Sequence, residues 1–364
     1  MSGRERLLTV PVALTASPYQ VVIAQDLLSK AGTHAAAVLK PCLCAVITDE
    51  IVAPLHAARL LASLWDAGFT PHLLTIPAGE ASKSMAQASA LCDRLIELGL
   101  DRKSALFALG GGVVGDLAGF VASIHFRGIS VIQLPTTVVA QVDSSIGGKT
   151  GVNSPLGKNL IGSFHQPILV LADTATLATL PEEVFQEGLA EVIKHAVIAD
   201  AGMLDLLPPS RKSDLSPLIA RNVAIKAGIV SQDEFETKGT RALLNFGNTI
   251  GHAEESVAGY GAYSHGEAVA IGMIAALDLS VRLAGLPAKE ALRVQAVIDA
   301  CGLPVSIPAS LSTDALLAAL GRDKKFDQGA IRFVLTKQLG SAFLSNEVTL
   351  ADVTGAIERL RAKT

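Results

Sequence analysis

Cysteine is scarce in this sequence of 364 residues, which holds four, at positions 42, 44, 92 and 301. Their spacing contains no Cys-x-x-Cys pair and no zinc-ribbon pattern, so it excludes a structural zinc site of that kind. The first ten residues, MSGRERLLTV, also lack the apolar core of a signal peptide. Both absences predict a cytoplasmic protein whose cysteines stay reduced.

Charge is scarce as well, at 18% of residues, with a formal net charge of -4. Lysine and arginine are scattered rather than clustered, so the sequence lacks the basic surface that a nucleic acid would require. Each long apolar stretch is interrupted by polar or charged residues before the ~18 residues that a membrane-spanning helix needs. We therefore expect neither a nucleic-acid partner nor a membrane span.

Apolar residues are abundant, at 50% of a chain whose length exceeds the usual size of one domain. Between residues 42 and about 180, β-rich runs such as CLCAVIT and SALFAL alternate with helical patterns. This order predicts a mostly parallel, doubly wound α/β sheet. The preceding runs LLTVPVAL and YQVVIAQD are expected to add an antiparallel pair at one edge.

Helical patterns predominate from PEEVFQEG onward, broken by one expected hairpin of AIRFVLTK with SAFLSNEV. We place the boundary at Pro181. The prediction is an α/β domain over 1–180 followed by a mostly α-helical domain over 181–364.

Gly110, Gly112 and Gly115 form a G-x-G-x-x-G pattern between SALFAL and a helical run. In this context the pattern is typical of a dinucleotide site, because N–H groups at the helix start would face a pyrophosphate. No acidic residue follows about 20 positions later to bind a ribose, so a simple tight turn stays an open alternative. Asp116 is compatible with a helix-dipole role as well as with a ligand contact.

Residues 134–159 form a long segment rich in glycine and polar residues. Segments of this length inside compact domains are usually functional or disordered. Lys149 and Lys158 lie among glycines that let backbone amides approach a ligand, which suits a phosphate or a carboxylate. The alternative is a flexible loop with solvated lysines.

Four polar residues share one side of the predicted helix QEGLAEVIKH, namely Glu187, Glu191, Lys194 and His195. Such residues most often form a solvated surface bridge. The residues between them are apolar, however, so the helix is expected to pack nearly all round. Buried charges are paired or bind a metal.

A second polar stripe runs along RALLNFGNTIGH, where Arg241, Asn245, Asn248 and His252 would share one face of a single helix. A core-facing helix would show leucine or isoleucine at these positions. The stripe therefore predicts a functional face.

His265 and Glu267 lie at the start of another apolar helix. A histidine in this position is often a capping or core residue. Together with Glu191 and the stripe, however, it indicates a cleft lined by three helices. Carboxylate and histidine ligands borne on helices suit a catalytic divalent metal.

Five blocks together closely resemble the 3-dehydroquinate synthase family of the sugar phosphate cyclases: GGGVVGDLAGF, LPTT with AQVDSSIGGKTGVN and PLGKN, GLAEVIKH, RALLNFGNTIGH and HGEAVAIGM. The resemblance runs from about residue 44 to the DKK at 323–325. It implies a Rossmann-like NAD-binding α/β domain, a helical metal-binding domain, and a homodimer with its active site between the domains. The implied reaction converts 3-deoxy-D-arabino-heptulosonate 7-phosphate into 3-dehydroquinate and phosphate, within the shikimate pathway.

The resemblance also assigns roles to individual residues. Those implied to contact NAD are Asp49, Glu80, Lys83, Gly111, Gly112, Val113, Asp116, Thr136, Thr137 and Lys158. Those implied to contact the substrate are Arg127, Asp143, Lys149, Asn159, Lys194, Lys226, Arg241, Asn245, His252, Lys324 and Lys325. Those implied to act in catalysis are Lys149, Lys194, Glu236, Arg241, Asn245 and His252. In this family the equivalent of Arg127 reaches in from the neighbouring subunit.

The sequence departs from the family at one metal ligand. The family motif G-H-x-x-G-H reads Gly247-Asn248-Thr249-Ile250-Gly251-His252 here, so Asn248 stands where a histidine is expected. We predict Glu191, Asn248 and His265 as ligands of a zinc or cobalt ion, although an amide oxygen is a weaker zinc donor than imidazole.

Several alternatives stay open on the sequence alone. A rearranged site would recruit His252 to the metal, or the chain would have lost the chemistry. Another sugar phosphate cyclase would use a different substrate. A metal-free, NAD-binding regulatory or structural dimer and an oxidoreductase similar to glycerol dehydrogenase belong to other functional classes.

Overall fold

The computed structural model describes residues 7–259, 263–322, 326–327 and 330–361. The chain divides into two compact units. The first extends to Pro181 and includes Arg211–Phe235, and the second comprises Glu182–Ser210 and the chain from Glu236 onward. The segment Arg211–Phe235 departs from the two consecutive domains predicted above, because it returns to the first unit after the second has begun.

The strands are numbered in chain order. They are β1 (Leu8–Val12), β2 (Tyr19–Ala24), β3 (Leu43–Asp49), β4 (Thr70–Ile76), β5 (Ala105–Gly110), β6 (Ser130–Pro135), β7 (Lys149–Ser154), β8 (Gly157–Phe164), β9 (Leu169–Asp173), β10 (Phe326–Asp327), β11 (Ala330–Gln338) and β12 (Ser341–Val348).

The α-helices are numbered in the same way. They are α1 (Ala31–Ala36), α2 (Ala58–Asp66), α3 (Met85–Glu97), α4 (Gly112–Ile124), α5 (Glu182–Ala199), α6 (Ser216–Gln232), α7 (Asn248–Ala258), α8 (His265–Leu279), α9 (Ala288–Ala300), α10 (Thr313–Arg322) and α11 (Leu350–Arg359). Among the described residues, none of these helices has the length and apolar character needed to cross a membrane.

The first unit is built on a sheet of order β1-β2-β9-β6-β5-β3-β4. All neighbouring strands from β2 across the sheet to β4 pair in parallel, and β1 pairs antiparallel with β2 at the edge. This arrangement confirms the doubly wound α/β sheet with its antiparallel edge pair.

Alternation along the strands fills a core on each face of this sheet, because successive side chains of a strand point to opposite faces. Cys44 and Val46 of β3 join the core that packs on α1 and α2. Ala45 and Ile47 of the same strand join the core that packs on α3 and α4. Strands buried on both faces are typical of parallel sheets covered by helices.

Helix α6 belongs to the first unit because it packs against β1, β2 and the π-helical turn Ala140–Ser144. Val223 and Ala227 are buried in this packing. Periodicity shows that such a helix has an apolar face, but it does not show which core receives it.

The second unit is organised around α8, which is buried almost throughout and packs against α5, α7, α9 and α11. A capping box closes its start: Ser264 Oγ accepts the N–H of Glu267, and the Glu267 carboxylate accepts the N–H of Ser264. His265 is therefore presented from a well-defined helix end. Strands β11 and β12 pair antiparallel, which confirms the predicted hairpin.

The prediction that RALLNFGNTIGH forms one helix is wrong. The structure has a 3-10 helix over Thr240–Asn245 and then starts α7 at Asn248. Gly247 between them has φ 85°, a left-handed conformation that glycine adopts without strain. A Cβ there would also lie 2.8 Å from the carbonyl oxygen of Val269, so the break depends on glycine.

Candidate active site

The glycine-rich turn lies at the carboxyl end of β5, beside the carboxyl end of β3. The chain runs from β3 outward to β4, then returns to place β5 on the other side of β3. Strand order therefore reverses between β3 and β5, which is where open α/β sheets bind ligands. Asp49 ends β3 and Gly111 follows β5, so both predicted NAD contacts lie at this reversal.

The turn leaves little room for a side chain at Gly111 or Gly112. A Cβ at Gly111 would lie 3.1 Å from Cγ2 of Thr137, and one at Gly112 would lie 3.2 Å from Oγ of Ser144. Helix α4 starts at Gly112, so the N–H groups of its first turn, including that of Val113, have no carbonyl partner within the helix. These donors and the positive end of the helix dipole suit a phosphate group.

Thr136 follows β6 and faces the same turn. Its N–H donates to the carbonyl oxygen of Gly110 at 3.0 Å. Its buried hydroxyl has no hydrogen-bond partner within the described part of the chain, whereas Oγ1 of Thr137 accepts the N–H of Ala140 at 3.2 Å. Because buried hydroxyls usually have a partner, Thr136 offers a polar atom to a bound group. The residues at this end of the sheet fit a dinucleotide such as NAD.

Asp49 has a structural function in the turn after β3. Its Oδ1 accepts the N–H groups of Ile51 at 2.9 Å and Val52 at 2.8 Å. These bonds orient the carboxylate at the strand end. Its contact with NAD stays a prediction.

One ammonium group joins three predicted site residues of the first unit. The buried Lys83 donates hydrogen bonds to the carboxylate of Asp116 and to the amide oxygen of Asn159. Burial raises the pKa of Asp116, while the Lys83 ammonium opposes that shift. Asp116, predicted to bind NAD, and Asn159, predicted to bind substrate, therefore share the ammonium of Lys83, itself a predicted NAD contact.

Asn153 connects this group to Glu80 and was missed in the sequence analysis. Its Nδ2 donates to Oε1 of Glu80 at 2.7 Å, and its Oδ1 accepts the N–H of Asn159 at 2.9 Å. Its own N–H donates to the carbonyl oxygen of Lys83 at 2.8 Å. No spacing rule distinguishes Asn153 from the other polar residues of the segment 134–159.

Lys226 and Asp143, both predicted to bind substrate, form an ion pair in the first unit. The Nζ of Lys226 lies 2.6 Å from Oδ1 of Asp143 and 2.5 Å from its carbonyl oxygen. Helix α6 carries Lys226 to this position. The return of α6 to the first unit therefore creates the pair.

Lys149 and Lys158 lie at opposite ends of the β7–β8 hairpin. Lys149 is opposite Phe164 at the open end, whereas Ser154 and Gly157 pair beside the turn, next to Lys158. The sequence placed both lysines in one anion-binding segment. The hairpin does not bring them together, and their contacts with substrate and NAD stay predictions.

Arg127 is exposed and ends a turn with an unusual backbone. Phe126 has φ 47° and Arg127 has φ 68°, values that residues other than glycine seldom adopt. A strained backbone at a predicted site residue is consistent with a functional constraint. Its role in a neighbouring subunit stays a prediction.

In the second unit, Lys194 lies between two predicted metal ligands. Its Nζ is 2.8 Å from Oε1 and 2.6 Å from Oε2 of Glu191, and it donates to Oδ1 of Asn248 at 3.1 Å. The side chains of Lys194 and Glu191 are 3% and 2% exposed. Glu191 and Lys194 of QEGLAEVIKH are thus buried as an ion pair.

His265 lies between two carboxylates. Its Nε2 is 3.7 Å from Oε1 of Glu191, and its Nδ1 is 3.3 Å from Oε2 of Glu255. Burial would lower the pKa of His265, but hydrogen bonding to Glu191 and Glu255 outweighs it and raises the pKa to about 9. Burial would likewise raise the pKa of Glu191, but Lys194 and His265 hold it well below its ordinary value.

The predicted donors fit a divalent metal. The 3.7 Å between His265 Nε2 and Glu191 Oε1 is close to the roughly 3.3 to 3.5 Å between ligands of a tetrahedral zinc ion with bonds of about 2.0 to 2.1 Å. Asn248 adds an amide oxygen beside the same carboxylate. An imidazole, a carboxylate and an amide oxygen suit a borderline or hard divalent ion.

The break at Gly247 separates Arg241 and Asn245 from His252. Arg241 is buried on the 3-10 helix, whereas His252 is exposed on α7. The rings of His252 and His265 are stacked with centroids 6.0 Å apart. His252 therefore joins the Glu191 group through His265, and not through a continuous helical stripe.

Three further predicted residues remain, of which the structure describes Glu236. Glu236 opens the second unit with φ 56°, and its catalytic role stays a prediction. Lys324 and Lys325 lie outside the described residues.

Solved structures resemble the whole chain. A 2-deoxy-scyllo-inosose synthase complexed with carbaglucose-6-phosphate, NAD+ and Co2+ superposes with a TM-score of 0.86 at 26% identity, covering 97% of this chain and 100% of that one. The 2-epi-5-epi-valiolone synthase of Streptomyces hygroscopicus, with NAD+ and Zn2+ bound, gives a TM-score of 0.85 at 30% identity, covering 96% and 98%. The fold and the grouped site residues define a sugar phosphate cyclase.

Sequence comparison identifies the family within that class. The models named "3-dehydroquinate synthase N-terminal" and "3-dehydroquinate synthase C-terminal" match residues 73–187 and 188–326. The 3-dehydroquinate synthase of Caulobacter vibrioides is 48% identical over 356 residues, covering 94% of this chain and 96% of that protein. The chain belongs to the 3-dehydroquinate synthase family, and it is an enzyme.

Proposed function

We propose that this enzyme converts 3-deoxy-D-arabino-heptulosonate 7-phosphate into 3-dehydroquinate and inorganic phosphate, as an NAD- and metal-dependent lyase of the cytoplasm. The observation that carries the proposal is the group of Glu191, Lys194, Asn248 and His265, in which the carboxylate and the ammonium are buried. It combines a cation, a carboxylate and an imidazole on the helices of one unit, as expected for charge development on oxygen.

The reaction needs redox chemistry without net oxidation. NAD, when bound, supplies a transient oxidation of one substrate hydroxyl and its later reversal. The ketone acidifies the neighbouring C–H, so that phosphate leaves by β-elimination. After re-reduction, opening of the sugar ring lets the new enol carbon attack the carbonyl and close the carbocycle.

The first unit supplies the residues proposed to bind NAD. The N–H groups at the start of α4 would bind the pyrophosphate, and NAD would give the Thr136 hydroxyl the partner that it lacks among the described residues. Lys83 holds Asp116 and Asn159 in fixed positions. Because Asp116 and Asn159 accept hydrogen bonds from the same ammonium, Lys83 fixes a residue proposed to bind NAD and a residue proposed to bind the substrate together.

The second unit supplies the residues proposed to hold the metal, Glu191, Asn248 and His265. A divalent ion bound there would stabilise negative charge that develops on substrate oxygen. Lys194 contributes a positive charge from a position fixed by Glu191 and Asn248. Charge that is already oriented before the reaction stabilises a developing oxyanion without costly reorganisation.

Lys226 and Asp143 are proposed to bind the anionic substrate as a pair. The carboxylate holds the ammonium at 2.6 Å, so the cation is oriented before the substrate arrives. Arg127 is proposed to act in a homodimer, reaching the site of the neighbouring subunit. Mixing two inactive variants, Arg127→Ala and Lys149→Ala, would then restore activity in mixed dimers.

One assay tests the reaction. The purified enzyme is incubated with the heptulosonate phosphate and NAD, with and without a divalent metal, and phosphate and NADH are measured together. We expect metal-dependent phosphate release without accumulation of NADH. Stoichiometric NADH would indicate a dehydrogenase, and release from glucose 6-phosphate alone would indicate a different cyclase. Binding of NAD without turnover would contradict the catalytic proposal.

A further inference from the structure

The ring of His265 contacts a carboxylate on each side, and only one of these is among the predicted metal ligands. Glu191 faces Nε2 at 3.7 Å, and Glu255 faces Nδ1 at 3.3 Å. Glu255 is buried, since only 6% of its surface is exposed. A buried carboxylate is costly unless it is partnered, so its contact with the ring is a defined feature of the site.

The backbone at His265 is already held by other groups. The capping box of Ser264 and Glu267 closes the helix start. The Glu187 carboxylate accepts the backbone N–H groups of Gly266 and His265. What remains is rotation of the imidazole about its side-chain bonds, and Glu255 lies at the nitrogen that sets this rotation.

The chemistry of imidazole gives this contact a consequence. A neutral histidine that offers the lone pair of Nε2 to a metal carries its proton on Nδ1. A carboxylate that accepts the Nδ1–H bond selects this tautomer, fixes the plane of the ring and makes Nε2 a stronger donor. Glu255 stands at Nδ1, and the opposite nitrogen faces Glu191.

We propose that Glu255 is a positioning residue for His265: its carboxylate accepts the N–H of Nδ1 and keeps Nε2 directed toward Glu191. This role rests on the metal-dependent function proposed above. It assigns a function to a residue that forms no part of the predicted ligand set.

A competing arrangement would place the ion among His252, Glu255 and His265, whose ligand atoms lie within 4.8 Å of one another. Their ring geometry argues against it. The two rings are stacked with an interplanar angle of 29°. Because the lone pairs lie in the ring planes, near-parallel rings direct them side by side and not toward one point.

The test measures metal affinity directly. Metal-stripped protein is titrated with Zn2+ in competition with a chromophoric chelator, for the unmodified chain and for Glu255→Gln, Glu255→Leu, Glu191→Gln and His252→Ala. Glu254→Gln is the matched control, since it changes the neighbouring glutamate of α7. Circular dichroism and thermal melts establish that each variant is folded.

We expect Glu255→Leu to weaken zinc binding by about 10- to 100-fold. Glu255→Gln, which keeps an acceptor oxygen, should lose less, and Glu254→Gln should match the unmodified chain. Glu191→Gln should lose binding, and His252→Ala should retain it. With Co2+ at saturation, the visible absorption spectrum of Glu255→Leu should also change, because the ring is no longer held in one orientation.

Three results would overturn the proposal, each in a different way. Equal zinc affinity of the unmodified chain and both Glu255 variants removes the positioning role and leaves the metal site intact. If His252→Ala loses zinc binding and Glu191→Gln retains it, the ion lies among His252, Glu255 and His265, and Glu255 is a direct ligand. If the unmodified chain binds no divalent ion, both the metal dependence of the proposed function and the positioning role of Glu255 are wrong.

Discussion

Each unit holds a lysine against a carboxylate, and the two pairs differ in their access to water. In the first unit, Lys226 and Asp143 are 2.6 Å apart and the Asp143 side chain is 29% exposed. In the second, Lys194 and Glu191 are also 2.6 Å apart, but their side chains are 3% and 2% exposed.

This difference predicts how each pair responds when one partner is removed. Water can solvate Asp143 if Lys226 is replaced, whereas no comparable solvation is available to Glu191. A buried charge without its partner costs several kcal/mol. Lys194 is therefore expected to maintain the fold of the second unit as well as its chemistry.

The largest effect is expected for Lys194→Met. Loss of the ammonium leaves Glu191 with His265, at 3.7 Å, as its remaining cationic neighbour, so the free energy of unfolding should fall by about 3 kcal/mol at neutral pH. Urea unfolding followed by circular dichroism measures it. The double variant Lys194→Met/Glu191→Gln should recover most of the loss. A single variant as stable as the unmodified chain would show that Glu191 does not need this cation.

Glu254 sharpens the comparison, because it is a buried carboxylate that forms no ion pair with the described residues. It is 1% exposed, and neither oxygen has a hydrogen-bond partner among the described residues. Ile250 and Val257, one turn before and after it on α7, belong to or pack against the apolar core of the unit. Burial alone raises the pKa of Glu254 to about 8.

The raised pKa predicts the pH dependence of Glu254→Leu. The folded protein binds this proton more tightly than the unfolded chain, so between the ordinary pKa and about 8 the glutamate increasingly destabilises the fold as pH rises. The variant should therefore be more stable than the unmodified chain, and this difference in the free energy of unfolding should be about 3 kcal/mol larger at pH 8 than at pH 5. Urea unfolding at both values measures this, with the exposed Glu347→Leu as control. A gain independent of pH would contradict the assignment.

A smaller effect is expected for Lys226→Met. Asp143 becomes hydrated once its partner is lost, so the free energy of unfolding should fall by only about 1 kcal/mol. The same urea unfolding experiment compares it with Lys194→Met. If the pair binds the substrate, turnover should fall strongly although the free energy of unfolding changes little. Equal destabilisation by the two substitutions would remove the distinction between the two units.

The smallest change in stability is expected for Asn248→His, whose effect should appear in metal binding. An imidazole nitrogen is a better zinc donor than an amide oxygen, so zinc affinity should increase by at least about tenfold. Chelator competition measures it, and Asn248→Ala is the control. If Asn248→Ala binds zinc as tightly as the unmodified chain, Asn248 contributes nothing as a ligand.

Much of the first unit could be predicted from local patterns. Alternating β-rich and helical runs predicted the sheet, and the position of Gly110 to Gly115 between a strand and a helix predicted the turn at its switch point. Both depend on neighbouring residues in the chain. The pairing of Lys226 with Asp143 depends on the return of α6 across 83 positions, which no local pattern shows.

In the second unit, the helical spacing of polar residues predicted which segments carry the candidate site, but not their geometry. A period of three to four residues predicted one stripe from Arg241 to His252, yet a single left-handed glycine divides it. Glu255 was missed because glutamates three residues from a histidine are common on solvated helix faces. Only the packing of α7 against α8 distinguishes this glutamate from a surface residue.

The sequence by itself determined the class of each unit, the glycine turn, the family, and the substitution of asparagine for histidine at position 248. These are properties of residue type and near-neighbour spacing. The tertiary structure decided that α6 joins the first unit, that Lys194 lies between Glu191 and Asn248, and that Glu255 reaches His265. Such contacts depend on how separate elements of the chain pack, and their energies depend on burial and direction, which exist only after the chain has packed.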